Sequence, residues 1–324
     1  MRPWRRTASL ALVVALTQAA WAAPLRRLTF APHWQAQAEF AGYYVAAARG
    51  IYARRGLDVQ ILSVAADHAA SQLLADGRAD VVSLWLTTAI RSRDRGVPLV
   101  NVAQLLGRSS LMLVAKKSSG IREPSDLQGR KIGVWDGDFL LQPLAFFQSH
   151  GVRADLVPLG STINLFLRGG VDATLATWFN EYHTILDTGV EPDELTTFFF
   201  SENGVNFPED GLYCRADALD ADPSACRDFV RASLEGWDYA FANPDEAVAL
   251  VMQRMIEAHV GTNAAHQRWM LERMRDLMRP ANAEKASAVL RGEDYDRVAQ
   301  ALAVSGWIER VTPFSEFARR LESP

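Results

Sequence analysis

The sequence predicts an α/β protein with two lobes, each a mostly parallel sheet flanked by helices. Short apolar runs alternate with amphipathic stretches through residues 28–200, which is typical of strand–helix–strand units. The stretches "GRADVVSLW" (77–85) and "GGVDATLATW" (169–178) share a glycine, an aspartate and an apolar strand that ends in tryptophan. Two lobes of similar build would produce this echo, although chance similarity is the alternative.

The elements of the first lobe follow from hydrophobic periodicity. Strands are predicted at 28–31, 57–62, 80–84 and 99–104, with helices at 40–52, 67–76 and 87–95. The first helix has apolar residues at three- and four-residue spacing: Phe40, Tyr43, Tyr44, Ala47, Ala48 and Ile51. Gly50 and Gly56 mark its end region.

The second lobe repeats the alternation. Strands are predicted at 131–135, 155–158, 173–176, 196–200 and 212–214, with helices at 139–150, 163–168 and 179–187. From about Pro223 onward the pattern is nearly all helical. Trp237, Trp269 and Trp307 recur along this helical part and are interpreted as core anchors.

Two turn-rich segments predict where the chain passes between the lobes. They are "VAKKSSGIREPSDLQG" (114–129) and "ENGVNFPEDG" (202–211). We therefore predict one lobe at 23–115 plus 215–324 and the other at 116–214. The crossings would lie near 113–118 and 207–215, and the cleft between the lobes would close by a hinge motion.

The N-terminus predicts export. Residues 1–6 hold three arginines, residues 8–20 are mostly apolar, and Ala20-Trp21-Ala22 fits a small-x-small cleavage site, as in a secretory signal peptide. A retained anchor is the alternative, but the apolar run is short for a membrane span. We expect residues 1–22 to be removed by cleavage near Ala22.

Charge and cysteine content exclude some functions. Removing 1–22 lowers Lys+Arg from 34 to 31 against 38 Asp+Glu, a net charge of about −7 that disfavours nucleic acid as a partner. Cys214 and Cys226 could pair in an oxidising compartment, and the sequence leaves this open. The six histidines are scattered and no Cys/His cluster has zinc-site spacing, so no metal site is expected.

Four tryptophans lie at or just beyond predicted strand ends: Trp34, Trp85, Trp135 and Trp178. In open α/β sheets, ligands bind at the carboxyl ends of the strands. The four residues therefore predict an aromatic ligand cleft, although each could instead pack within its own lobe.

The polar residues beside these tryptophans indicate the chemistry of the ligand. Glu39, Asp136, Asn180 and Glu181 follow the strand ends, and no lysine or arginine lies in these junctions. Aromatic faces and carboxylate acceptors suit a flat, neutral or cationic ligand with N–H donors. Some of the acids, Asp136 and Asp138 in particular, could instead be helix N-caps. The candidate ligand-binding residues are Trp34, Gln37, Glu39, Tyr43, Trp85, Trp135, Asp136, Trp178, Asn180, Glu181 and Asn206.

Four stretches carry a resemblance to a known family. They are "FAGYYVAAARGIYARRGLDVQI" (40–61), "LQGRKIGVWDGDF" (127–139), "TWFNEYHTILDTG" (177–189) and "NFPEDGLYC" (206–214). The chain resembles substrate-binding proteins of ABC importers with the two-lobe periplasmic type II fold. More narrowly, it resembles the branch related to thiamine-pyrimidine synthase and to pyrimidine-precursor-binding proteins.

This resemblance implies a periplasmic monomer without a cofactor. It would capture a small nitrogen heterocycle, such as a thiamine pyrimidine precursor, and deliver it to an ABC permease in the inner membrane. The alternatives are a ligand-sensing module for a membrane signalling protein and a binder of a sulfonate- or nitrate-type anion.

A pyrimidine synthase is the least favoured alternative. The synthases carry a cysteine-rich cluster just before the equivalent of "GLYC", where this chain reads "FFFSENGVNFPED". They also use a lysine and a histidine of the N-terminal lobe, whereas residues 28–66 hold no lysine and only His33. The sequence also lacks a GxSxG motif and a P-loop, so we expect no enzyme activity.

Overall fold

The protein forms two five-stranded sheets with helices packed around them. The computed structural model describes residues 24–64, 69–279 and 288–321. The predicted signal peptide at 1–22 and the start of the predicted helix at 67–76 lie outside the described residues. Within the described part of the chain, no helix has both the length and the apolar character needed to cross a bilayer.

The first sheet combines the N-terminal strands with one strand from late in the chain. Its strands are β1 (Arg26–Ala31), β2 (Leu57–Ile61), β3 (Val81–Leu84), β4 (Leu99–Leu106) and β10 (Glu209–Arg215), in the order β2-β1-β3-β10-β4. β1 pairs in parallel with β2 and β3, whereas β10 runs antiparallel to β3 and β4. The sheet is therefore mixed, with its one reversed strand supplied by the returning chain.

The second sheet has the same plan. Its strands are β5 (Leu111–Lys116), β6 (Lys131–Val134), β7 (Asp155–Pro158), β8 (Ala173–Thr177) and β9 (Leu195–Phe199), in the order β7-β6-β8-β5-β9. β6 pairs in parallel with β7 and β8, and β5 runs antiparallel to β8 and β9. This confirms the predicted α/β class with two lobes.

The positions of the crossings differ from the prediction. β5 was not predicted, and it extends across the expected boundary at 115. The first five residues of "LMLVAK" are fully buried at the centre of the second sheet, so this segment belongs to the second lobe. The chain leaves the first sheet after Leu106 and enters the second at Leu111. It returns between Phe199 and Glu209, so β10 belongs to the first sheet although most of it was assigned to 116–214. Lys117, Ser118 and Ser119, which follow β5, mark the end of that strand and not a crossing.

Thirteen α-helices cover the sheets in the described residues. They are α1 (Ala41–Ala48), α2 (Ile51–Arg54), α3 (Ala70–Ala75), α4 (Leu86–Asp94), α5 (Leu141–Ser149), α6 (Asn164–Leu167), α7 (Glu181–Leu186), α8 (Ala216–Ala221), α9 (Pro223–Ala242), α10 (Pro244–Glu257), α11 (Ala264–Met278), α12 (Gly292–Val304) and α13 (Phe314–Phe317). The predicted helix at 40–52 is divided at Gly50, whose φ of 64° ends α1 and begins α2.

The contact between α1 and α9 depends on two glycines. A Cβ atom at Gly236 would lie 2.2 Å from the carbonyl oxygen of Gly42, and one at Gly42 would lie 2.3 Å from Cγ of Trp237. The helices can approach this closely only because both positions lack a side chain. Trp237 is fully buried there, as predicted for a core anchor, whereas Trp269 and Trp307 are only half-buried.

A disulfide fixes the end of the returning strand. Cys214 in β10 is bonded to Cys226 in α9, with Cα atoms 6.7 Å apart and a sequence separation of 12 residues. The bond connects the first sheet to the longest helix that covers it. Closing a loop of this length stabilises a fold by roughly 3 kcal/mol.

Candidate ligand-binding cleft

A cleft of about 340 Å³ lies between the two lobes. This volume is at the lower end of the range for small-molecule sites. The first lobe lines it with His33, Trp34, Gln35, Gln37, Glu39 and Trp85. The second lobe lines it with Trp135, Asp136, Phe139, residues 159–163, Thr174, Leu175, Thr177, Phe179, Asn180 and Glu181. Most of these residues follow the carboxyl ends of β1, β3, β6, β7 and β8. Ligands bind at the carboxyl ends of the strands in open α/β sheets, and we call this expectation the strand-end rule.

His33 organises the wall of the first lobe. The backbone N–H of His33 donates to Oγ of Ser83 at 3.0 Å, which fastens the turn after β1 to β3. Nε1 of Trp85 donates to Nε2 of His33 at 3.1 Å. This bond fixes the indole at the end of β3, with only 7% of Trp85 exposed.

Acidic side chains lie on and behind this wall. Glu39 is buried, accepts a hydrogen bond from Nε2 of Gln37, and has Oε1 3.3 Å from Nε2 of His33. Behind His33, Oδ1 of Asp210 lies 3.7 Å from Nδ1 of the imidazole and has no hydrogen-bond partner among the described residues. Burial, together with the charges of Glu39 and Glu209, raises the pKa of Asp210 well above its usual range. An added cation or N–H donor would relieve this concentration of negative charge.

Glu181 is the main acceptor of the second-lobe wall. Its Oε2 accepts from the backbone N–H and from Oγ1 of Thr177, at 2.9 and 2.6 Å, and its Oε1 accepts from Nδ2 of Asn180 at 2.9 Å. Burial raises the pKa of Glu181. Each carboxylate oxygen can accept two hydrogen bonds, so Oε1 keeps a free lone pair for a ligand.

The aromatic residues form a contact that spans the cleft. Trp85 of the first lobe meets Phe139 of the second edge-to-face, with ring centroids 4.7 Å apart, and Phe139 also meets Trp135 at 5.8 Å. Trp34 is 46% exposed, which leaves its face available for stacking. Asp138, which could have been an N-cap, instead forms an ion pair with Arg91 across the two lobes.

Tyr43 and Trp178 do not line the cleft. Tyr43 points into the core of the first lobe, where its ring packs against Phe30 with centroids 4.5 Å apart, because it lies on the inward face of α1. Trp178 packs edge-on against Phe199, outside the cleft. The chain turns directly after β8, and Phe179, the next residue, lines the cleft in its place.

Asn206 also lies outside the cleft and joins the two crossing segments. Its Oδ1 accepts from the backbone N–H of Ser109 at 2.8 Å, and its Nδ2 donates to the carbonyl oxygen of Gly107 at 2.9 Å. The side chain was predicted to contact ligand, but the turn that carries it lies at the crossing.

Several of the residues that line the cleft were not predicted from the sequence. Gln35, Phe139, Thr177 and Phe179 line the cleft, and each is next to or near a predicted site residue. The loop at 159–163 follows β7 directly and brings two hydroxyl groups to the cleft. The strand-end rule would have found this loop, which was overlooked because it contains no aromatic or charged residue.

The fold and the cleft define the class of protein. The structure superimposes on the periplasmic aliphatic sulphonate-binding protein SsuA of Escherichia coli with a TM-score of 0.72, covering 92% of this chain and 94% of that chain at 14% identity. At this identity the likeness shows the fold alone. The protein therefore has the two-lobe fold of periplasmic binding proteins, as the resemblance implied.

The sequence then gives the family. Residues 37–247 match the NMT1/THI5-like family model, so the chain belongs to that family. The riboflavin-binding protein RibY of Chloroflexus aurantiacus is 24% identical over 305 residues, which cover 87% of this chain and 82% of the relative. The formylaminopyrimidine-binding protein of Halalkalibacterium halodurans is 24% identical over 291 residues, covering 86% of this chain and 84% of the relative.

Enzymes of the family match over a much shorter stretch. The 4-amino-5-hydroxymethyl-2-methylpyrimidine phosphate synthase of Schizosaccharomyces pombe is 27% identical over 113 residues, which are 35% of this chain and 32% of the enzyme. The two binding proteins, in contrast, match over most of their length.

Proposed function

We propose that this protein is a solute-binding protein that captures a small, flat nitrogen heterocycle of the thiamine-pyrimidine-precursor type and delivers it to an ABC importer. The observation that carries this proposal is the composition of the cleft. Its lining combines tryptophan and phenylalanine rings with the carboxylates of Glu39, Asp136 and Glu181, and it includes no lysine or arginine among the described residues.

Each part of such a ligand has a counterpart in the cleft. The exposed face of Trp34 and the ring of Trp135 offer stacking surfaces, and Glu181 and Asn180 offer acceptors at one edge. An amino group or a protonated ring nitrogen would donate to Glu39 and lower the repulsion among the buried acids behind it. A sulfonate or nitrate would meet these same acids without a positive partner, which is why we favour the heterocycle over an anion.

The family and the fold support the proposed transport role. Relatives that match over most of their length are named for binding riboflavin and formylaminopyrimidine. Export by the N-terminal segment would place the protein in the periplasm as a monomer. There it would present its closed, loaded form to an inner-membrane permease, and binding would require no catalytic group.

The proposal is tested by thermal unfolding and calorimetric titration of the mature protein. The panel contains an aminopyrimidine, formylaminopyrimidine, riboflavin and an alkanesulfonate. A ligand that binds only the folded state raises Tm with concentration. We expect the two pyrimidines to raise Tm and the sulfonate to have no effect. A response to the sulfonate alone would refute the proposed ligand class, and a response to riboflavin alone would replace the pyrimidine with a larger heterocycle.

Variants locate the binding to the cleft. Trp34→Ala removes an exposed stacking face and should weaken pyrimidine binding by roughly 5-fold to 150-fold, because a stacked ring contributes about 1–3 kcal/mol. Trp34→Phe keeps a face and should recover part of the loss. Ile256→Ala is the control, since Ile256 is 70% exposed on α10 and lies outside the cleft. Equal affinity of wild type and Trp34→Ala would place the ligand elsewhere.

A further inference from the structure

Two histidines that are far apart in the sequence meet where the lobes touch. His183 lies on α7 of the second lobe, and His266 lies on α11, which packs on the first lobe. Their Nδ1 atoms are 2.9 Å apart, and Oδ2 of Asp187 is 3.4 Å from Nδ1 of His183. We propose that His183, His266 and Asp187 form a binding site for a divalent transition metal of the zinc type, which bridges α7 and α11.

The spacing of the donor atoms fits a tetrahedral ion. In a tetrahedral zinc site with bonds of about 2.0–2.1 Å, neighbouring donor atoms are about 3.3 Å apart. The two distances above lie on either side of this value, and all three donor atoms lie within 4.8 Å of one another. Two imidazole nitrogens and a carboxylate oxygen leave the fourth position for water.

Hydrogen bonding prepares one of the imidazoles as a ligand. Nδ2 of Asn180 donates to Glu181, so Oδ1 of Asn180 is free to accept, and it lies 2.9 Å from Nε2 of His266. His266 therefore carries its proton on Nε2, and the lone pair on its Nδ1 points at His183. A partner on the opposite ring nitrogen is the usual way in which a metal-binding histidine is oriented.

The surroundings hold one imidazole in place and leave the site open to solvent. The ring of His183 stacks on Trp269, with centroids 4.7 Å apart, which holds its orientation. The side chain of Asp187 is 46% exposed, so an ion can enter from solvent on this side.

A metal ion bound at this site would strengthen the contact between the two lobes. An ion at this position would hold α7 against α11, and the hydrogen bond to Asn180 connects it to a residue that lines the ligand cleft. The site is separate from the ligand itself, so it can be tested without knowing what the cleft binds.

The test uses mature protein freed of metal with a chelator and then titrated with zinc. We expect one zinc ion to bind and Tm to rise to a plateau, while magnesium, which prefers six oxygen ligands, has no effect. Cobalt should give the visible absorption of a tetrahedral site. His183→Ala and His266→Ala should each weaken zinc binding at least 100-fold, and Asp187→Asn should weaken it less.

A control separates this site from other histidines. His150→Ala removes an imidazole at the end of α5, away from the site, and should leave zinc affinity unchanged. The proposal is overturned if the metal-free protein binds no zinc. It is also overturned if His183→Ala and His266→Ala bind zinc as wild type does, or if binding is lost only in His33→Ala, which would place the ion beside the cleft.

Discussion

Glu209 makes the stability of this protein depend on pH in a direction opposite to that of most acidic residues. It is 1% exposed, and its carboxylate accepts from Oγ of Ser109 at 2.6 Å and from the backbone N–H and Oγ of Ser110 at 2.8 and 2.6 Å. Burial raises its pKa from 4.5 to about 7 in spite of these bonds. The folded state therefore holds this proton more tightly than the unfolded chain.

The magnitude follows from the two pKa values. The stabilising contribution of the protonated carboxyl is complete below pH 4.5 and is lost as pH rises through 7, because over this interval the folded state binds more protons. Each pKa unit corresponds to 1.36 kcal/mol, so the free energy of unfolding should fall by about 2.5 kcal/mol between pH 5 and pH 8 on account of Glu209. Glu209→Gln imitates the protonated form and removes this titration.

The assay is urea unfolding, followed by tryptophan fluorescence, of wild type and Glu209→Gln at several pH values between 5 and 8. We expect the variant to gain about 2 kcal/mol or more relative to wild type over this range, with an unchanged m-value. Glu202→Gln, at an exposed position seven residues upstream, should follow the wild-type profile. If the profiles of wild type and Glu209→Gln run parallel, Glu209 does not titrate in this range and the reasoning fails.

Three further results are expected. Gly236→Ala should lower the free energy of unfolding by about 1–3 kcal/mol, since its Cβ would overlap the backbone of Gly42. Gly261→Ala should change it little, because a Cβ at Gly261 would have no described atom within 4 Å apart from its chain neighbours. Equal losses would contradict the α1–α9 packing. Reduction should lower Tm of wild type but not of a Cys214→Ser/Cys226→Ser variant, which should be less stable by roughly 3 kcal/mol. Binding of a cationic heterocycle should release protons near pH 7, because a cation lowers the raised pKa of Glu209, which is about 7. The calorimetric heat should then vary with the ionisation enthalpy of the buffer, and a buffer-independent heat would argue against a cation.

Local patterns were sufficient to predict most of the fold. Nine of the ten strands match a predicted apolar run, and the exception, β5, is a continuous apolar stretch without alternation. A strand buried on both faces has no period-two signal, so it can be missed beside an obvious turn. The turn chemistry after β5 then displaced the predicted crossing by several residues.

The strand-end rule predicted the cleft better than it predicted individual side chains. Trp34, Trp85 and Trp135 line the cleft, but Trp178 does not, because the chain turns directly after β8 and brings Phe179 to the cleft instead. Predicting which of Trp178 and Phe179 faces the ligand requires the conformation of this turn. The aromatic character of the site was therefore predictable, and its exact membership was not.

Contacts between distant segments were beyond the sequence. "NFPEDG" has the composition of an exposed turn, yet Glu209 and Asp210 are buried in β10. His183 and His266 are 83 residues apart and belong to helices of different lobes, so scattered histidines were no argument against a cluster. Burial and proximity of this kind arise from tertiary packing, which no local pattern encodes.

The buried acids connect the crossing segments to the ligand cleft. Glu209 holds Ser109 and Ser110 at the entry to the second sheet, and it is followed directly by Asp210, whose pKa is raised by burial and by the charge of Glu39 on the cleft wall. A change in charge at Glu39 therefore changes the protonation of the residues that fix the crossing. A cationic ligand would favour their ionised forms, strengthening the hydrogen bonds that the two serines donate to Glu209. An anion would have the opposite effect. The same carboxylates would thus select the charge of the ligand and tighten the connection between the lobes when the selected ligand binds.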